Sequence, residues 1–176
     1  MREIKRYPVK GLCGETLNAV ELTPGQSLPH DRCSALAHAS SGFDRTNRGW
    51  MPKNHLLNLS RDEKIAQLSV SFEPARTQLT LSRGGRQVAS SNTEMPVGRL
   101  MLNQFFAGFT PAGGRGNPKL VEAGYSTFAD VPKPYVSNLS TASLNEIERV
   151  VRRPIQIQRF SGNLVVDDAE RWEERD

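Results

Sequence analysis

The side chains able to do chemistry in this sequence are few, and their spacing excludes more than it allows. Cys13 and Cys33 are the two cysteines of the chain. Two thiols cannot build a Cys-rich structural zinc site, and they are too far apart for a CxxC redox pair. Cys13 lies in "GLCGE", among glycines, and both cysteines read as free structural thiols. His30, His38 and His55 have no metal-ligand spacing. The glycine cluster of "TPAGGRGNP", Thr110 to Pro118, is reminiscent of a phosphate-cradling loop. It does not lead from a strand into a helix and lacks the GK[ST] ending, so it reads as a connector. No lysine has a motif context for a Schiff base, and no ferredoxin-like cysteine cluster is present.

Charge points the same way, towards binding rather than a self-evident catalytic centre. The formal net charge is +4, while Asp167 to Asp176 hold six acidic and two basic residues, a contribution of −4. Residues 1–166 therefore carry +8, an excess that suits an anionic ligand such as a phosphorylated cofactor, or simply solubility. The basic residues are dispersed and lack aromatic interleaving, which argues against nucleic acid.

The elements that must position these residues are mostly short. Hydrophobic residues make up 37% of the 176 and charged residues 24%, with 14 glycines and 11 prolines, a loop-rich and strand-rich balance. "REIKRYPVK", "CSALAHAS" and "NLVV" read as strands, and "NAVELT" as another. "SGFDRTNRGWMPKNH" is a long loop. "SRDEKIAQL" is a short helix with a serine cap, and "LSVSFEPARTQLTLS" two strands around a "PAR" turn, Leu79 and Leu81 sharing a face. "RQVAS" adds a third strand after the "GG" turn. Between Glu94 and Phe109, Val97, Leu100, Met101, Phe105 and Phe106 recur at helical spacing and are expected in the core. A second helix, in "SNLSTASLNEIERVV", carries Leu144, Ile147, Val150 and Val151 behind a Ser/Thr cap, with Ser143 and Glu146 as a capping box if it starts late. "RPIQIQRF" alternates at period two and is expected to be a strand. No stretch has the length of a membrane-spanning helix and the start lacks a secretory signal, so the chain reads as soluble and cytoplasmic, with no membrane partner.

Three separated stretches, "YPVKGLCGETL", "LPHDRCSAL" and "MPKNHLLNLSRDEKIAQL", resemble the N-terminal β-barrel domain that precedes MOSC domains, the molybdenum cofactor sulfurase C-terminal family. "SNLSTASLNEIE" and "RFSGNLVVDDAERWEE" resemble the first part of the MOSC domain itself, and the whole set runs in the family's order. The resemblance implies an α+β, mostly β fold, with a barrel-like domain over residues 1–109, a linker over 110–118 and the beginning of a MOSC barrel over 119–176. It implies a molybdenum–molybdopterin cofactor, with relatives that reduce N-hydroxylated compounds or carry sulfur, and a separate electron-transfer partner. By the same resemblance the metal is held by a cysteine thiolate beyond "NLVV". No cysteine follows Cys33, so the acidic end is expected to be an interior loop of a shortened domain.

Carried over position by position, Lys10 of "YPVKG" contacts the cofactor, and Gly11 replaces a serine, offering its backbone N–H instead. Arg32, beside Asp31, pairs with the cofactor's phosphate, as dianion recognition by a guanidinium demands. In "FSGN", Ser161 stands where relatives have arginine, and Asn163 remains; Ser140 and Thr141 supply the hydroxyl-rich turn before the helix. Taken singly, each has a plainer reading: Lys10 as a solvated strand-end lysine, Arg32 as the partner of Asp31, Asn163 as a residue that satisfies turn backbone groups. The rival reading is a non-catalytic β module for an anionic ligand or a protein partner. A role linked to pyridoxal phosphate, by association with the sulfurase, is weaker still.

Overall fold

The computed structural model describes residues 1–43, 49–110, 115–124, 126–167 and 169–172. It is an α+β fold of nine strands in three sheets with two α-helices among those residues. The chain forms two compact units. The larger takes Tyr7–Glu15 and His30–Pro134, and the smaller Met1–Arg6, Thr16–Pro29 and Tyr135–Asp176.

The larger unit is built around a meander. Strand β4 (Leu68–Glu73) pairs antiparallel with β5 (Gln78–Arg83), and β5 with β6 (Arg86–Asn92), after the "PAR" and "GG" turns as expected. Alternation sends Val70, Leu79 and Leu81 inward, where they meet Val9, Leu12, Leu36, Leu57, Ile65 and Leu68 in one apolar core. A second sheet pairs β3 (Ser34–Ala37) with β7 (Lys119–Glu122), so residues on both sides of the 110–118 stretch share a sheet. Of that stretch, residues 111–114 lie outside the described residues, as do 44–48 of the long loop.

Helix α1 (Pro96–Phe109) closes this core with only part of the stripe its spacing suggested: Phe105 and Phe106 face inward as expected, and Val97, Leu100 and Met101 do not. Leu102 and Phe106 are buried, with Phe105 and Phe109 packed beside them, whereas Val97, Leu100 and Met101 are all more than half exposed. Two stripes of the same period run along this helix, and period alone does not choose between them. Gly98 does: a Cβ there would lie 2.0 Å from the Asn92 carbonyl oxygen, so only glycine lets the helix sit this close to the end of β6.

"SRDEKIAQL" forms a 3₁₀ turn, Glu63–Gln67, rather than an α-helix. Ser60 does not cap it; Asp62 precedes the turn and accepts from the Asn58 N–H at 3.2 Å instead.

The smaller unit holds a four-stranded sheet in the order β2 (Glu15–Leu17), β1 (Glu3–Arg6), β9 (Leu164–Val166) and β8 (Asn138–Ser140). Strand β9 runs antiparallel to β1 and parallel to β8. Residues 18–23, expected as a strand, are not one; pairing uses Glu15–Leu17 instead. Helix α2 (Thr141–Val151) starts early, capped by Ser140, which accepts from the Ala142 N–H at 3.1 Å, so no capping box forms at Ser143. Of its expected stripe, Leu144 and Ile147 are half-buried while Val150 and Val151 are exposed.

"RPIQIQRF" is not a strand. Ile155 donates its N–H to Glu148 on α2 at 2.7 Å instead of to a ladder, and Ile157–Phe160 make a 3₁₀ turn that Ser161 ends at φ 51°. All three sheets are open among the described residues. Of the acidic end, residues 168 and 173–176 lie outside them.

Candidate functional site

Lys10 owes its position to a turn that only glycine completes comfortably. Val9 is fully buried and bridges Ser34, and Lys10 donates its N–H to the Ser34 carbonyl at 2.9 Å. The chain then reverses through Gly11 at φ 85°, where a side chain would press on the Leu57 carbonyl oxygen at 3.2 Å. A serine here would be strained, so the departure from the expected hydroxyl has a local cause.

The Lys10 ammonium donates to Asp130 Oδ1 at 2.6 Å, with its side chain 11% exposed and that of Asp130 75%. Burial draws the lysine below its ordinary range; the Asp130 bond opposes that, while the positive charges of Arg32 and Lys53 add to it. Asp130 is in turn held below the usual carboxylate range, first by the Lys10 bond and further by the charges of Lys10, Arg32 and Lys53. One carboxylate thus lies within the field of three cations. Trp50 steadies its segment by donating Nε1–H to the Ala129 carbonyl at 2.8 Å, and Phe128 next to it is fully buried.

Arg32 is held by a network of its own. It is 8% exposed, forms an ion pair with buried Asp31, and stands 5.1 Å from the centre of the Tyr7 ring. Asp31 also accepts the Tyr7 N–H at 2.8 Å, the Arg32 N–H donates to the Tyr7 carbonyl, and Phe128 donates its N–H to the Arg32 carbonyl at 2.8 Å. His30 and Arg32 both adopt left-handed backbone, φ 60° and 49°, in a turn without glycine. Such conformations cost about 1–3 kcal/mol each and persist where the surroundings over-determine them, commonly at binding sites. Packing and these bonds fix the guanidinium in place.

The other expected residues belong to the smaller unit, where each has structural work. Asn163 is fully buried; its Oδ1 accepts from the Ser137 N–H and hydroxyl at 3.2 and 2.8 Å, and its Nδ2 donates to the Lys5 carbonyl at 3.1 Å. Ser140 caps α2 and donates to the Ala169 carbonyl at 3.4 Å, and Thr141 donates to Asp167 at 3.1 Å. Lys10, Gly11 and Arg32 all lie in the larger unit. Sequence reasoning missed Lys53 and Asp130. Lys53 stood in the quoted "MPKNH" motif, but nothing local marks Asp130, which arrives at Lys10 from 120 residues away.

The side chains gathered around Asp130 are cationic donors of the kind that bind oxyanions. Among the described residues no three His, Cys, Asp or Glu side chains group to hold an ion. Burial pushes the Cys33 thiol up to about 11. Among the described residues no helix is long and apolar enough to cross a membrane. Comparison of the chain with protein-family models, with curated proteins and with solved structures finds no match.

Proposed function

We propose that this chain is a MOSC-type binding module whose larger unit grips the phosphate of a molybdopterin-like cofactor through Lys10 and Arg32, with Lys53 completing the positive field. The observation that carries this reading is the ion pair of largely buried Lys10 with exposed Asp130 at 2.6 Å, a carboxylate that the charges of Arg32 and Lys53 also hold down. A mostly exposed aspartate occupies the place that a phosphate dianion would take, and two charges on the ligand against one on the aspartate favour exchange. On this reading the open sheets are parts of barrel-like walls, as in the family the sequence resembles. In the family the sequence resembles, such a cofactor serves the reduction of N-hydroxylated compounds or the transfer of sulfur. On this reading Lys10, Arg32 and Lys53 serve to hold the phosphate, and no role in a catalytic step falls to them.

The replacement of arginine by Ser161 favours a second reading, in which the module holds an anionic ligand without catalysis. One titration set addresses both. Calorimetry with a phosphate monoester should show Asp130→Asn binding several-fold tighter than the unsubstituted chain and Lys10→Gln at least tenfold weaker. Pterin recovered from protein expressed with cofactor synthesis active separates the two readings: its presence supports the first, and phosphate binding without it supports the second. Asp130→Asn without any gain in affinity would overturn both.

A further inference from the structure

A cavity of about 310 Å³ opens where the end of β3, the turn after it, β7 and α1 meet. Its lining lies wholly within the larger unit and includes none of Lys10, Arg32, Lys53 and Asp130. Strand β3 stops at Ala37, and a 3₁₀ turn, Ala39–Ser41, follows His38, whose carbonyl accepts the Ser41 N–H at 2.9 Å. Gly42 ends that turn at φ 66°, and Phe43 packs against the apolar cluster that holds Ala37, Val121 and Phe128. Antiparallel pairing sets Lys119 opposite Ala37, at the same end of the sheet.

The polar side chains on this cavity are hydrogen-bond donors. Asn103 on α1 accepts the Leu120 N–H at 2.7 Å through Oδ1. A backbone N–H can be met only by the amide oxygen, so this bond orients the amide. It leaves the two hydrogens on Nδ2 without an acceptor among the described residues. The Ser41 hydroxyl accepts the Phe43 N–H at 3.4 Å and keeps its own proton to donate. Lys119 is exposed, and its ammonium has no carboxylate partner among the described residues. No aspartate or glutamate lines the cavity. His38 serves as wall rather than free base, because its Nε2 already accepts from Arg115 at 2.7 Å.

Donors gathered around one cation, with no acidic group beside them, select an anion over a metal or an amine. Phe43, Leu120 and Val121 add an apolar wall that inorganic phosphate or sulfate could not use. The volume stands at the lower end of the range that holds small molecules, roughly 300–1,000 Å³, which limits the ligand to a single ring or a short chain. We propose that this cavity binds a small monocarboxylate with an apolar body, such as an aromatic acid. Its carboxylate meets Lys119 and Asn103, and its body lies against Phe43 and Val121. The site goes beyond the phosphate reading and draws on none of its residues.

Benzoate titrated into the ¹⁵N-labelled full chain tests this. Shifts should centre on Lys119, Leu120 and the Asn103 side-chain amide, with a dissociation constant on the order of 1 mM for so small a ligand. Lys119→Gln, at an exposed position, should keep its circular dichroism and weaken benzoate about fivefold or more, as loss of a partly solvated charge implies. Lys119→Arg should restore most of that affinity, and Lys64→Gln, exposed elsewhere on the same unit, should bind unchanged. Benzyl alcohol, which lacks the charge, and acetate, which lacks the ring, should each bind more weakly than benzoate. A phosphate titration that fails at Asp130 would leave these shifts untouched, so the two readings fail separately. No shift up to about 50 mM, shifts confined to Lys10 and Arg32, affinity indifferent to Lys119→Gln, or benzyl alcohol binding as tightly as benzoate would each overturn the proposal.

Discussion

The two units of this chain bury different things. In the larger one, two apolar clusters surround the meander and the β3–β7 pair, with Phe106, Phe128, Leu79 and Leu81 at or near zero exposure. In the smaller one, the buried apolar side chains among the described residues are Leu28 and Val165, and the other buried side chains there are polar, led by Asn163, Ser140 and Ser143. Apolar burial is non-directional and tolerant of small shifts, whereas a buried amide is favourable only while every bond it makes is kept. The larger unit can therefore hold a charged cluster at its surface against a firm base. The smaller one depends on a few hydrogen bonds in fixed geometry.

That contrast is easiest to break at its two centres. Phe106→Ala removes a fully buried ring that packs edge-on against Phe105, and should cost about 3–5 kcal/mol in urea unfolding. Hydrogen exchange should show the loss spread across β4 to β6. Asn163→Ala strands the Ser137 N–H and the Lys5 carbonyl and should cost about 2–3 kcal/mol. Its effect should stay within the smaller unit, speeding exchange at Asn163 and Leu164 and leaving β5 protected. Equal spreading of both losses through the chain would show that the two units unfold as one and that the contrast has no energetic meaning.

A gentler probe uses acid. His38 is 6% exposed, with Nε2 2.7 Å from an Arg115 nitrogen, so the imidazole accepts that bond in its neutral form. Burial first, and then the charge of Arg115 with a smaller part from Arg61, hold its pKa below the ordinary 6.5; Asp62 and a bond to the Leu56 backbone oppose them. The folded state thus disfavours the imidazolium. Stability tied to His38 is fully present above about 6.5 and declines as pH falls from there towards the folded value. Denaturation midpoints between pH 7.5 and 5 should fall in the native chain and fall less in His38→Gln. Matching slopes would move the acid sensitivity elsewhere.

How much of this was written in the sequence depends on range. The β4–β6 meander was legible because its turns and its alternation are local, as was the Ser140 region as a helix start. The outer stripe of α1 was misread because two faces share one period and only the approach of Gly98 to Asn92 separates them. "RPIQIQRF" alternates like a strand, but alternation says nothing of whether a neighbour is present to pair with, and Glu148 takes the Ile155 N–H first. For the candidate site, Lys10 and Arg32 stood in quotable motifs. Asp130 did not, because its part is set by tertiary contact alone.

The smallest effect should come from the most conspicuous charges of the smaller unit. Arg149 donates to both oxygens of Glu146 at 2.9 and 2.6 Å, and Arg171 reaches the same carboxylate at 3.3 Å. The Arg149 bonds lead in holding Glu146 down to about 2, with the charges of Arg149 and Arg171 behind them. The arginine side chains are 72% and 64% exposed, so water and salt screen most of that attraction. A carboxylate with a depressed pKa contributes stability above its ordinary value near 4.5 and loses it as pH falls through about 2. Carboxyl titration by NMR should show a midpoint below that of an ordinary glutamate, by an amount that shrinks in 0.5 M salt. Glu146→Gln should nonetheless leave the melting temperature at neutral pH within experimental scatter, in low salt and in 0.5 M salt alike. A melting loss comparable to that of Asn163→Ala would mean that this surface network, rather than the buried amide, is what organises the smaller unit.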